Sequence, residues 1–196
     1  LYQLTIEPGT QFATLHGRGA FALPEGDEAA RLYLATEEEA ARFGLARYEI
    51  SNYAKPGAES RHNLAYWRYG DYLGIGAGAH QRLSFPDGTL LAARRHRAPE
   101  EWLARVQRDG HAITEEEALS PRDRAREALL MGLRLAEGVD PARIAARSTL
   151  PFEQTVDLAM LDALAEEGLL AWRDGRLAAT PDGLLRLDAL LPVLLR

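Results

Sequence analysis

The residues best suited to chemistry stand in one short run, His62-Asn63-Leu64-Ala65-Tyr66-Trp67. An imidazole followed four and five positions later by a phenol and an indole can offer an axial ligand beside flat apolar surfaces. Those are the two things a protein supplies to a haem. The same residue types also make an ordinary core: a packed aromatic pair beside a hydrogen-bonded histidine, which is the commoner arrangement. Asn63 could orient a neighbour through its amide. Downstream, Gly74-Ile75-Gly76-Ala77-Gly78-Ala79-His80 invites a phosphate-loop reading. It lacks the third glycine two residues further on and the following helix that a dinucleotide fingerprint requires. We read residues 72–78 instead as a strand whose glycines let a second backbone or a flat ligand approach closely.

The other four histidines are weaker ligand candidates. His16 and His111 lie in polar segments, with no aromatic neighbour evident to cover a macrocycle. His96 sits in Arg94-Arg95-His96-Arg97, a cluster able to clamp carboxylates or phosphates. The commoner role of such a run is a charged sheet edge that discourages aggregation, and that is the reading preferred here. Glu7 ends an alternating opening segment just before Pro8-Gly9. It is either a carboxylate at the chemically active end of a barrel strand or simply a solvated one.

These groups need elements to hold them. Residues 1–6 alternate apolar and polar and predict a strand. A helix is expected over residues 25–43, with Ala29, Leu32, Tyr33, Ala40 and Phe43 on its face and Gly44 as its stop. A second strand is expected over residues 47–51, closed by Lys55-Pro56-Gly57. Strand, helix, strand with short joints predicts a βαβ unit and a parallel pair. Residues 80–97 read as a hairpin around Pro86-Asp87-Gly88. A helix from residue 99 to residue 108 turns Trp102 and Val106 inward.

From Ile113 the composition shifts to charged, alanine- and leucine-rich helices, which places a domain boundary there: residues 1–112, then 113–196. Ser120-Pro121, Asp140-Pro141 and Thr180-Pro181 each read as a cap followed by proline at the first helical position. Pro151 is expected to open a helix carrying Val156, Met160, Leu161 and Leu164. A small hairpin around Asp174-Gly175 and a last helix burying Leu184, Leu187, Leu191 and Leu194 complete the order of a winged-helix domain. The helix placed for recognition offers Glu153, Asp157, Asp162, Glu166 and Glu167 and no basic residue. That face would repel a duplex, so the domain reads as a docking module with no nucleic-acid partner.

The chain has 196 residues, net charge −6 and no cysteine. Its composition is that of a soluble globular protein, without a membrane-length apolar run or a signal peptide, so the expected location is the cytoplasm. Disulfides and cysteine-ligated metals within the chain are excluded. The absent initiator methionine and the opening in mid-strand suggest a C-terminal fragment of something longer.

Taken together and in order, LYQLTIEPGT, RYEISNYAKPG, ESRHNLAYWRYGDYLGIGAGAH and the winged-helix tail resemble the C-terminal half of the radical SAM haem chaperones. These have long been labelled oxygen-independent coproporphyrinogen III oxidase-like proteins. The resemblance covers essentially the whole chain. It implies an α/β fold: the C-terminal part of a radical SAM (β/α) partial TIM barrel, followed by a small α+β winged-helix-like domain. It implies that a CxxxCxxC loop outside this chain carries a [4Fe–4S] cluster completed by S-adenosylmethionine. The HNxxYW motif of that family is associated with haem and matches His62, Asn63, Tyr66 and Trp67. The resemblance also puts Glu7 and the segment Gly76, Ala77, Gly78 and His80 on the S-adenosylmethionine side. The matching positions of the decarboxylase relatives differ in residue type.

The expected function is therefore a haem chaperone delivering haem to respiratory haemoproteins, with His62 as the candidate iron ligand. The resemblance leaves room for a homodimer and for peripheral membrane association through partners. One alternative is the coproporphyrinogen III decarboxylase of the same fold, in which a 5′-deoxyadenosyl radical abstracts hydrogen from two propionate side chains. Another is a non-catalytic docking module.

Overall fold

In the computed structural model, which describes residues 1–195, the chain divides into two compact units, Leu1–Glu59 and Ser60–Arg196. The break lies at residues 59/60 rather than at the expected 112/113. Residues 113–118 are strand-paired to the hairpin before them and cannot be parted from it.

The first unit holds α1 (Gln11–Gly17), α2 (Gly26–Arg42), β1 (Ala46–Glu49) and β2 (Asn52–Ala54). Helix α2 forms where expected, with Gly44 at φ 70° just beyond its end, but of its expected face only Ala40 is fully buried, while Leu32 and Phe43 are exposed. The expected βαβ unit does not form. Residues 1–7 are in no strand, because alternation makes a strand only where another backbone stands alongside. Their recorded partners are isolated: the Leu1 amino group donates to the Ser51 carbonyl and Gln3 Nε2 to the Ala29 carbonyl. The strand expected over residues 47–51 stops at Glu49 and doubles back, pairing β1 with β2 antiparallel across a bulge. Glu49 is fully buried at this turn, where its carboxylate accepts from Ser51 N and, at 2.6 Å, from Asn52 Nδ2. Tyr33 of α2 donates to the Ile50 carbonyl, and burial pushes its phenol up to about 12. Helix α1 forms in the polar segment that holds His16. Thr10 caps it by accepting from Ala13 N.

The second unit begins with α3 (Arg61–Trp67), capped by Ser60. A three-stranded antiparallel sheet follows, in the order β3 (His80–Ser84), β4 (Leu90–Arg95), β5 (Ile113–Ala118). The turn at Pro86-Asp87-Gly88 is as expected, with Gly88 at φ 85°. Strand β4 is central, so the arginine run ending it is not a sheet edge. Arg95 instead donates to Gln81 Oε1 of β3, and Arg94 faces Glu115 of β5. Strand β5 contains Glu115, Glu116 and Glu117, good helix formers overridden by pairing with the open side of β4. Helix α4 (Pro99–Asp109) ends at left-handed Gly110. The strand expected over residues 72–78 reduces to one bridge, Tyr72 to Arg82, before the chain turns.

The remainder is α5 (Pro121–Gly132), α6 (Pro141–Ser148), a 3-10 turn at Phe152–Gln154, α7 (Leu158–Glu166), β6 (Leu170–Arg173), β7 (Arg176–Ala179), α8 (Pro181–Leu184) and α9 (Leu187–Leu194). Ser120, Asp140 and Thr180 cap their helices ahead of proline as expected. Pro151 opens only the 3-10 turn, and Asp157 caps the helix proper. The expected last helix is two, broken after Leu184. In α8, Gly183 lies where a Cβ would run into the Leu169 carbonyl. The wing turns through Asp174 and Gly175, both at positive φ. Val139 exchanges backbone hydrogen bonds with Leu177 and extends the wing. Leu129, Leu133, Val156, Leu170, Leu177 and Leu194 form the fully buried centre.

Candidate functional site

The HNxxYW residues sit on a helix, not in an irregular segment. On α3 the spacing of four puts His62 and Tyr66 on one face, with Asn63 and Trp67 on the adjoining one. His62 is solvent-exposed and its imidazole has no hydrogen bond among the described residues. Tyr66 is half-buried, its ring edge-on to Trp67 at 5.1 Å and tilted against Tyr72 at 5.2 Å. The Arg134 guanidinium lies 4.6 Å from the Trp67 ring centre. Immediately after Tyr72, Leu73 and Ile75 are 60% and 81% exposed. The exposed imidazole and the Tyr66 ring thus share one face of α3, Tyr72 packs on Tyr66, and the two bare aliphatic side chains follow Tyr72 in the sequence.

Helix α3 ends unusually. Gly70 N donates to the Ala65 carbonyl and Tyr69 N to the Tyr66 carbonyl, the paired bonds of a Schellman stop. The left-handed residue of that stop is Tyr69, at φ 55°, where glycine is the ordinary choice. A bulky residue there costs about 1–2 kcal/mol. Tyr69 is held by burial and by donating at 2.7 Å to Glu127 of α5, which also accepts two bonds from Arg82 of β3. Burial, then the Glu127 bond, pushes the Tyr69 phenol far up; the Glu127 bond likewise raises the Arg82 guanidinium. The strained turn behind the motif is thus clamped to both the sheet and α5.

The glycine segment approaches a backbone closely, but the backbone is its own. A Cβ at Gly74 would meet the His80 carbonyl. Gly76 and Gly78 carry φ of 100° and 71°, and a Cβ at Gly78 would lie 3.6 Å from the Arg97 Cβ. His80 is exposed at the start of β3, opposite Arg94, and Ala77 is exposed at the turn. Glu7 belongs to the first unit; its carbonyl accepts from Thr10 N and Oγ1, while the side chain is exposed. Of the expected residues, the structure gathers His62, Asn63, Tyr66 and Trp67 on one helix and Gly76–His80 on one turn. His16 departs from expectation: its ring is 5.6 Å from Phe21, which is 5.9 Å from Phe12, one helical turn before His16.

Sequence reading missed a pocket at the C-terminal end of α3. Trp67 and four arginines line it: Arg68, Arg143, Arg147 and Arg176. Arg68 grips Glu137 with two 2.7 Å bonds, and Arg176 reaches the same carboxylate at 3.2 Å. Arg147 holds Asp71 at 2.6 Å and Ser84 Oγ at 2.8 Å. The Arg68 bond and nearby cations keep Glu137 below the usual carboxylate range despite partial burial. A depressed carboxylate stabilises the fold above its ordinary pKa and loses that contribution as pH falls through the depressed one. Glu137→Gln should therefore cost about 1–2 kcal/mol at pH 7 and progressively less towards pH 3. Denaturant melts at the two pH values check it; a cost unchanged at pH 3 would contradict the ion-pair origin.

The family model described as the HemN C-terminal domain matches residues 119–186, which run from the residue after β5 through the wing and α8 to the residue before α9. Over the whole chain it is 35% identical to radical S-adenosyl methionine domain-containing protein 1, mitochondrial, of Bos taurus, covering 45% of that protein. It is 33% identical to heme chaperone HemW of Escherichia coli over 99% of this chain and 48% of the relative. The solved coproporphyrinogen III oxidase (HemN) of Escherichia coli, a radical SAM enzyme, superposes with a TM-score of 0.60 at 19% identity, over 87% of this chain and 42% of that one. The fold is thus that of the C-terminal part of a radical SAM protein. Residues 119–186 carry the HemN C-terminal domain, and the chain as a whole is similar to the C-terminal half of HemW/HemN-like radical SAM proteins, spanning about half the length of the curated relatives it matches.

Proposed function

We propose that this chain is the haem-holding part of a haem chaperone and that α3 is where the haem binds. The observation that carries the reading is an exposed His62 sharing a helix face with Tyr66, whose ring packs on Tyr72 directly before the exposed Leu73 and Ile75. Imidazole supplies an axial ligand and the aromatic and aliphatic groups supply the flat apolar contact, so the residues present fit the group. Bound iron would supply redox chemistry and ligand exchange; the chain's own contribution is to hold and orient the macrocycle and keep water from one of its faces.

The [4Fe–4S] cluster and S-adenosylmethionine belong to the intact family member. This chain has no cysteine to ligate such a cluster, and the described residues contain no group of three His, Cys, Asp or Glu placed for a metal ion. Glu7 and the Gly76, Ala77, Gly78 and His80 turn are assigned to the S-adenosylmethionine side of the intact protein. The acceptors would be respiratory haemoproteins and the compartment the cytoplasm, with no nucleic-acid partner. Among the described residues no helix is long and apolar enough to cross a membrane.

Titrating the chain with haemin is the test. A saturable Soret shift at one equivalent is expected. Its absence would overturn the reading in favour of the decarboxylase half-fold or a docking module.

A further inference from the structure

Of the four guanidinium groups lining the pocket behind Trp67, three are engaged by carboxylates: Arg68 and Arg176 by Glu137, and Arg147 by Asp71. Arg143 differs. Its Nε donates at 2.7 Å to the Arg68 carbonyl, at the end of α3. Among the described residues no carboxylate stands within ion-pair distance of it, and its two terminal nitrogens meet no acceptor. The residue is solvent-exposed, so those nitrogens can be reached. Burial and the cations Arg147, Arg68 and Arg176, opposed by Glu137, push its guanidinium downward. A positive group crowded by other positive groups, fixed at one nitrogen and with a planar fork left over, is built to receive an oxyanion in bidentate fashion.

The position of this fork narrows what the oxyanion is. Arg68 lies six residues after His62 on the same helix, which at 1.5 Å per residue is about 9 Å along the axis. That is comparable with the reach from the metal of a porphyrin to the carboxylate on its side chain. Trp67 borders the pocket and gives it an apolar wall. We propose, resting on the haem reading above, that this pocket is a carboxylate subsite for a propionate of the tetrapyrrole, with Arg143 as the group that takes it. The two ends of α3 then divide the work: His62 faces the metal and the C-terminal end faces the acid group. A cation at a helix C-terminus also suits the local dipole.

The experiment compares haemin, haemin dimethyl ester and metal-free protoporphyrin IX as probes, on the full chain and on Arg143→Gln and Arg143→Lys. Binding is read from Soret absorbance and folding from thermal melts. The full chain should bind haemin at least about tenfold more tightly than its ester. Arg143→Gln should lose that preference while keeping the affinity for the ester, and Arg143→Lys should retain part of it. Equal affinity for acid and ester, or a preference that survives Arg143→Gln, overturns the subsite and leaves the haem reading standing. Arg143-dependent binding of metal-free porphyrin without ligation of haemin iron supports the subsite and overturns the iron ligand. Failure to bind any of the three porphyrins overturns both. If Arg143→Gln melts early, Arg143→Lys decides alone: a reduced preference upholds the subsite and an unchanged one rejects it.

Discussion

Glu127→Ala is expected to destabilise the second unit by about 2–4 kcal/mol, lowering its melting temperature by about 5–15 °C. Three bonds converge on this carboxylate: Tyr69 Oη at 2.7 Å, Arg82 Nε at 3.0 Å and Arg82 Nη2 at 2.7 Å. Arg82 is only 17% exposed at its side chain and Glu127 26%, so water replaces the lost acceptor incompletely. Removing it strands a half-buried guanidinium and a buried phenol together. The strain at Tyr69 adds to the effect, because its left-handed backbone persists only while the side chain is anchored. Glu127→Gln, which retains one acceptor oxygen, should fall between the two. A loss below about 1 kcal/mol for Glu127→Ala would mean that packing, not the clamp, fixes the turn behind the motif.

Local features of this fold were written plainly in the sequence. A cap followed by proline marks three helix starts, and each cap makes its bond. Both hairpins stand where Asp-Gly turns put them, since positive φ is a residue-level property. Pairing is a different matter. Residues 1–6 and 72–78 carry strand-like patterns, yet neither forms a strand, because a ladder needs a partner that no short window names. Strand β5 fails in the opposite direction, its three glutamates reading as helix until β4 claims them. The candidate site divides in the same way. HNxxYW was legible from residue types, and the helix that sorts it into two faces needed the Ser60 cap to be noticed. The arginine pocket was not legible at all: Arg143 meets Arg68 from 75 positions away, with no periodicity to betray it.

His62→Ala is expected to weaken haemin binding by at least about tenfold and to move the Soret band, whereas His80→Ala should leave both unchanged. Among the five histidines, three are restrained or poorly placed. The Nδ1 atoms of His96 and His111 accept from Ala98 N and Ile113 N, which puts the proton of the neutral ring on Nε2 and leaves no free lone pair for iron. His80 opens β3 opposite Arg94, and among the described residues its ring meets no aromatic partner. The stronger rival is His16, on the same face of α1 as Phe12 and close to Phe21, with Phe12 54% exposed. His16→Ala therefore belongs in the same series. If His16→Ala abolishes the Soret shift and His62→Ala does not, the haem site lies in the first unit and the assignment to α3 fails. Tyr66 is the remaining oxygen ligand on the motif face, and Tyr66→Phe separates its ligation from its packing. A His62→Ala protein that keeps its affinity, combined with a Tyr66→Phe protein that loses it, moves the iron one turn along the helix without moving the site. Trp67→Ala should weaken binding while leaving the band position in place, because on the proposed reading the indole would cover the macrocycle without touching the metal.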